Sequence, residues 1–168
     1  MIRSLLIACS LLLMAIRPAV ADNGSELWLR YRLVADAALR AHYRAALAQI
    51  VVDGDSPTLY VARDELKAGL AGLFGAPVPV ASSADRNGTV LIGTRSGSRV
   101  IAALPLTAEL ARLGKEAFII RGVMIGGKKV LVVAANDDVG ALYGAFALLR
   151  ELQTQTPLAK LALTSAPR

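Results

Sequence analysis

The sequence predicts an α+β domain, a mixed β-sheet packed with helices, and three observations carry that expectation. Segments with apolar residues at helical spacing alternate with shorter β-rich runs. One of those runs, Thr89 to Gly93, is apolar almost throughout and flanked by turn residues, as in a strand buried on both faces. Gly126-Gly127 sits between two further β-rich runs, where a hairpin turn belongs. The resulting order, αα-β-β-α-ββ-α, calls for a sheet with helices laid on it. A chain of 168 residues, 55% of them hydrophobic, has the length of one domain and ample apolar area for a core.

Residues 1–21 stand apart from that fold. A basic start at Arg3, an apolar run from Ser4 to Ile16 and the small-residue ending Ala19-Val20-Ala21 make a signal-peptide pattern, with Asp22 as the expected mature N-terminus. The apolar run is shorter than the roughly 20 residues a permanent membrane span needs. Leu6-Ile7-Ala8-Cys9 loosely matches a lipoprotein box, but too little chain precedes Cys9 to hold a basic and an apolar region. Cys9 is the only cysteine, so the mature part is expected to lack disulfides, a thiolate nucleophile and cysteine metal ligands. Losing Arg3 and Arg17 and no acid takes the formal net charge from +6 to +4. The remaining basic residues are scattered and include only five lysines, which argues against a nucleic-acid footprint.

Asp22 to Val34 reads as a polar entry followed by an extended stretch bearing Trp28 and Tyr31. Asp36 is a natural N-cap for a helix over 37–50, with Leu39, Tyr43, Leu47 and Ile50 on one face. Val51-Val52 and the turn Asp53-Gly54-Asp55 follow. Ser56-Pro57 opens a second helix with a cap and a proline at its first position; Leu59, Ala62, Leu66, Leu70 and Leu73 form its stripe and Gly75 stops it. Pro77 and Pro79 confine Pro77 to Ala81 to a short edge strand. Ser96 to Leu104 and Thr107 to Leu113 read as short helices interrupted by Pro105. Ala117 to Ile125 and Lys129 to Ala135 are the hairpin strands. Asp137 caps a long last helix with Val139, Leu142, Tyr143, Phe146, Leu149 and Leu152 on or near its apolar face, and Gly140 and Gly144 allow it close to a sheet.

Candidate chemistry is sparse. Gly122 to Lys128 has the G-x-x-x-x-G-K spacing of a phosphate-binding loop, but Lys129 stands where a Ser or Thr hydroxyl is needed, and a strand follows where a helix N-terminus should. His42, the only histidine, lies between Arg40 and Arg44 and reads as a surface residue. The acid pairs Asp53/Asp55, Asp64/Glu65 and Asp137/Asp138 offer acid–base chemistry in principle, but each fits a turn, a solvated helix flank or an N-cap. Asn23-Gly24-Ser25 and Asn87-Gly88-Thr89 match the glycosylation sequon and read equally as turns. Trp28 with Tyr31 has the look of a sugar platform, but such residues are more often packing. No catalytic, cofactor-binding or metal-ligating residue emerges.

In SELWLRYRLV (25–34), DSPTLYVARDELKAGLAGLFG (55–75), LPLTAELARLGKEAFIIR (104–121), AANDDVGALYGAFALLRELQT (134–154) and the closing Ser165-Ala166-Pro167-Arg168, the chain resembles the N-terminal, non-catalytic domain of the α-glucuronidases of glycoside hydrolase family 67. The wording of the last helix is similar to that of the accessory domain of β-hexosaminidases. The resemblance covers essentially all of residues 23–168 and implies a domain of a xylan-degrading enzyme. Its catalytic carboxylates sit on a (β/α)8 barrel that follows such a domain and removes 4-O-methyl-glucuronic acid from xylo-oligosaccharides. It implies that barrel as partner, in cis or in trans; the leader pattern adds the expectation of a periplasmic or extracellular location with no membrane span after cleavage, and neither a cofactor nor a nucleic-acid partner is expected. Trp28, Leu29, Tyr31 and Leu158 to Pro167 are then candidates for an apolar surface facing the barrel. The alternative is a free-standing exported module of the same fold that binds a protein or a glycan.

Overall fold

The computed structural model describes residues 31–166. The leader, Cys9, the sequon at Asn23, Trp28, Leu29, Pro167 and Arg168 lie outside the described residues.

The elements are α1 (Ala37–Ala46), β1 (Gln49–Asp53), α2 (Pro57–Phe74), β2 (Val80–Ala81), β3 (Thr89–Thr94), α3 (Arg99–Ala102), α4 (Leu106–Leu110), β4 (Phe118–Ile125), β5 (Lys128–Ala135), α5 (Asp138–Gln153), a 3-10 turn (Leu158–Lys160) and β6 (Leu163–Ser165). The six strands form one mixed sheet in the order β2-β1-β3-β5-β4-β6. The first four in that order are parallel, β4 runs antiparallel to β5, and β6 antiparallel to β4. Helices α1, α2 and α5 cover one face, packing on Ile50, Val90, Ile92, Phe118, Ile120 and Val133. The short α3 and α4 cover the other, on Val51, Leu91, Ile119, Val132 and Ala134. Alternate residues of β3 thus enter opposite cores, which is why its sequence is an unbroken apolar run.

Local sequence chemistry sets the boundaries. Asp36 Oδ1 accepts from the amides of Ala38 and Leu39 at 2.8 and 3.0 Å, capping α1. Ser56 Oγ accepts from the Leu59 amide at 3.1 Å, Pro57 opens α2, and Gly75 closes it at φ 68°, a left-handed conformation that costs glycine little. Asp137 Oδ1 accepts from Gly140 N at 2.8 Å to start α5.

Four expectations change. Helix α1 stops at Ala46, not at 50, because the chain turns at Leu47 and enters β1 at Gln49, where Gly88 O accepts from the amides of Ala48 and Gln49. Leu47 and Ile50 are buried as expected, but by a helix cap and a strand. The short helices shrink to α3 and α4, with Ser98 as the cap of the first and Pro105 at the N-cap position of the second. In α5 the inward face is Gly140, Ala141, Gly144, Ala145, Leu148, Leu149 and Leu152, while Val139, Tyr143 and Phe146 face outward, 37–42% exposed. A Cβ on Gly144 would lie 2.4 Å from Val133 Cγ1, so glycine is the residue that fits at this point where α5 meets the sheet. Finally, Leu163–Ser165 adds an edge strand to β4, and Leu161 before it is buried, so much of the C-terminal stretch belongs to the fold itself.

Candidate functional site

The phosphate-loop spacing folds as the β4–β5 hairpin. Gly126 and Gly127 adopt φ 54° and 77°, two successive left-handed residues that turn the chain tightly. Register runs from Phe118 opposite Ala135 to Ile125 opposite Lys128, and Lys129 continues into β5. No helix N-terminus follows to direct amides at a phosphate.

Each acid pair is drawn into local structure. Asp53 Oδ2 accepts the Ser98 hydroxyl at 2.5 Å, and Ser98 Oγ in turn accepts from Ile101 N at 2.9 Å, so Asp53 positions the cap of α3. Asp55 accepts the Tyr60 hydroxyl. Asp64 pairs with Arg63 at 2.9 Å, and this hydrogen-bonded guanidinium holds the Asp64 carboxyl below the ordinary range. Glu65 accepts from the Tyr31 hydroxyl at 3.4 Å; burial first, then the charge and hydrogen bond of Glu65, push the Tyr31 phenol up to about 12. Asp137 caps α5, and Asp138 lies in its first turn. Among the described residues no three His, Cys, Asp or Glu side chains gather as a metal-binding group. No helix there is long and apolar enough to cross a membrane.

Asn87 and Gly88 do form a turn. Asn87 Oδ1 accepts from Lys129 N at 2.8 Å and Gly88 takes φ 78°, while the buried Thr89 hydroxyl donates to Arg86 O at 2.9 Å.

Sequence reasoning did not anticipate two features. The first is a linked set of side chains at the β6 edge. Arg121 donates to both carboxylate oxygens of Glu109, at 2.7 and 3.3 Å, and Thr164 Oγ1 donates to Glu109 Oε1 at 3.0 Å. The Arg121 hydrogen bond, seconded by Thr164, lowers the Glu109 pKa. The set ties α4, β4 and β6 together.

The second is a groove of about 650 Å³ on the face of the sheet that carries α1. Gly122, Met124, Lys129 and Leu131 of the hairpin floor it, His42, Ala45 and Ala46 of α1 wall it, and Asn87-Gly88 and Leu158 complete the lining. Its lining is mainly aliphatic, its charged or titratable groups are Lys129 and His42, and no carboxylate lines it. His42 is exposed on its wall. The segments that build the groove are far apart in sequence, so no local pattern betrays it. The arrangement suits capture of an extended or aliphatic group with negative charge, not acid–base chemistry, which needs a carboxylate or a histidine with a partner.

The family model described as "Glycosyl hydrolase family 67 N-terminus" matches residues 27–148. The chain is 31% identical over 157 residues to an α-glucuronidase of Hypocrea jecorina, covering 90% of this chain and 18% of that one. It is 33% identical over 132 residues to a probable α-glucuronidase A of Aspergillus oryzae, covering 77% of this chain and 15% of the relative. The chain thus spans less than a fifth of the length of these curated relatives. A solved structure of a family GH115 4-O-methyl-α-glucuronidase with specificity for decorated arabinogalactans aligns over 62% of this chain and 13% of its own, at TM-score 0.47 and 23% identity. With the family model matching most of the sequence, across both cores and the hairpin, the chain belongs to the N-terminal domain family of the family 67 glycosyl hydrolases.

Proposed function

We propose that this chain serves as a non-catalytic accessory domain of a xylan-degrading α-glucuronidase, exported by the leader at residues 1–21 and mature from Asp22. The release of 4-O-methyl-glucuronic acid from xylo-oligosaccharides then falls to a (β/α)8 barrel joined to it in cis or in trans.

What supports the reading most is the use made of the carboxylates. Inverting hydrolysis of a glycosidic bond needs two carboxyl groups about 6.5–9.5 Å apart, flanking a cleft that admits sugar and water. Here Asp53, Asp64 and Asp137 each hold a hydroxyl, a guanidinium or a helix amide, on three different elements. The groove that could admit a ligand is lined by none of them. Membership of the family, whose curated relatives are much longer α-glucuronidases, supports reading that activity as the parent's.

The test is incubation of the mature protein with aldouronic acids and assay of free uronic acid. The expected result is no release above background. Turnover abolished by Asp53→Asn, Asp64→Asn or Asp137→Asn would overturn the non-catalytic role. The intact mass of exported protein checks the leader: it should begin at Asp22, and a mass for lipidated Cys9 would overturn that cleavage.

A further inference from the structure

The two edges of the sheet are not alike. At one edge β2 is two residues long and Pro77 and Pro79 precede it, so little backbone is offered to another strand. At the other edge β6 covers β4 only opposite Phe118, Ile119 and Ile120. From Arg121 to Ile125 the outer edge of β4 has no strand partner among the described residues. These five residues extend about 17 Å. They include no proline, and Met124 among them is 60% exposed. Proteins ordinarily blunt such an edge, because its free amides and carbonyls template pairing with another chain.

The edge is continuous with the groove, since Gly122, Val123 and Met124 line both. Charge narrows what can lie there. Lys128 and Lys129 are exposed at the hairpin tip and make no ion pair among the described residues. Glu109, the acid that reaches β4, is engaged by Arg121 and Thr164. Lys128 and Lys129, on β5 directly opposite Ile125 and Met124, give this end of the edge a positive field that favours a segment bearing acids.

We propose that the Arg121–Ile125 edge is a docking site for an extended acidic segment of another protein. The segment adds as a strand beside β4 and lays alternate aliphatic side chains into the groove over Met124 and Leu131. Main-chain hydrogen bonds supply the affinity, and the groove and lysines the selectivity. This inference does not depend on the α-glucuronidase reading.

The test uses the full mature chain and a fluorescein-labelled octapeptide alternating Glu and Val, with a Lys/Val octapeptide of the same length as comparator. Anisotropy gives affinity, and hydrogen exchange reports the amides of residues 121–125. The Glu/Val peptide should bind at least tenfold more tightly and slow exchange at those amides. The combined Lys128→Glu and Lys129→Glu variant, and separately Met124→Glu, should each weaken binding about tenfold while circular dichroism stays unchanged. Equal affinity for the two peptides, or binding indifferent to these variants, would overturn the proposal. So would a homodimer in sedimentation that protects the same amides, which would make a second copy the occupant. Binding of an aldouronic acid in the groove with the edge amides still exchanging would likewise overturn it, in favour of a sugar ligand.

Discussion

Gly144→Ala is the sharpest probe of how α5 lies on the sheet. On propensity alone the change should stabilise the helix by about 1 kcal/mol, since glycine in a helix interior loses more backbone freedom than alanine. The packing argues the other way. The new Cβ would sit 2.4 Å from Val133 Cγ1 and 3.3 Å from the Phe118 ring, and Val133 is fully buried. Valine is stiff at χ1 and cannot swing aside cheaply. Ordinary carbon contact near 3.6 Å therefore requires α5 to lift by about 1 Å, and a gap of that size forfeits a quarter to a half of each lost dispersion contact. Overpacking of this kind costs about 1–3 kcal/mol, and a site with so little room belongs at the upper end. The expected net loss is about 1–2 kcal/mol, read by urea denaturation, with a fall in Tm of about 3–8 °C. Gly122→Ala is the internal control, because nothing lies within 4 Å of its Cβ. That change should be neutral or gain about 0.5–1 kcal/mol. A Gly144→Ala protein as stable as its parent would refute the close approach of helix and sheet.

Three further outcomes follow from the caps and ionisable groups. Asp137→Ala removes the acceptor for Gly140 N and should cost about 1 kcal/mol in chemical denaturation, with Asp137→Ser recovering most of it. Glu109 has a depressed pKa in the fold, so its contribution is fully present above the ordinary glutamate value of 4.5 and is lost as pH falls through the lower, folded value. Glu109→Gln should therefore be less stable than the parent at neutral pH, with the difference shrinking in acid, as followed by Tm against pH. Tyr31 has a raised pKa, so its contribution is intact below pH 10 and lost as pH climbs toward 12. Ultraviolet titration of the parent should include a phenol ionising near 12 that is missing in Tyr31→Phe.

Where the sequence was readable, the signal was local. Asp36, Ser56, Asp137 and Gly75 mark helix ends because a cap is decided by residues within one turn. Gly126-Gly127 marks the hairpin because two left-handed residues in a row admit little else. The misplacements have a common cause in tertiary packing. Leu47 and Ile50 continue the helical spacing of α1 by coincidence, and it is parallel pairing with β3 and β2 that draws Gln49–Asp53 into a strand. In α5 the large residues Val139, Tyr143 and Phe146 suggested the buried face, but the sheet below already supplies bulk through Val133 and Phe118. The complementary helix face must therefore be small. Pairing of β6 with β4 brings together residues more than forty positions apart, and the groove joins α1, the Asn87 turn, the hairpin and Leu158; neither leaves a short-range trace.

The accessory-domain account is tested most directly by titrating the mature chain into a family 67 catalytic barrel that lacks its own N-terminal domain, followed by calorimetry and by the thermal transition of the barrel. The account predicts saturable association and a higher transition temperature for the barrel, while uronic acid release from aldouronic acids depends on the barrel alone. Failure of the two to associate at micromolar concentrations, together with an unchanged transition, would contradict it.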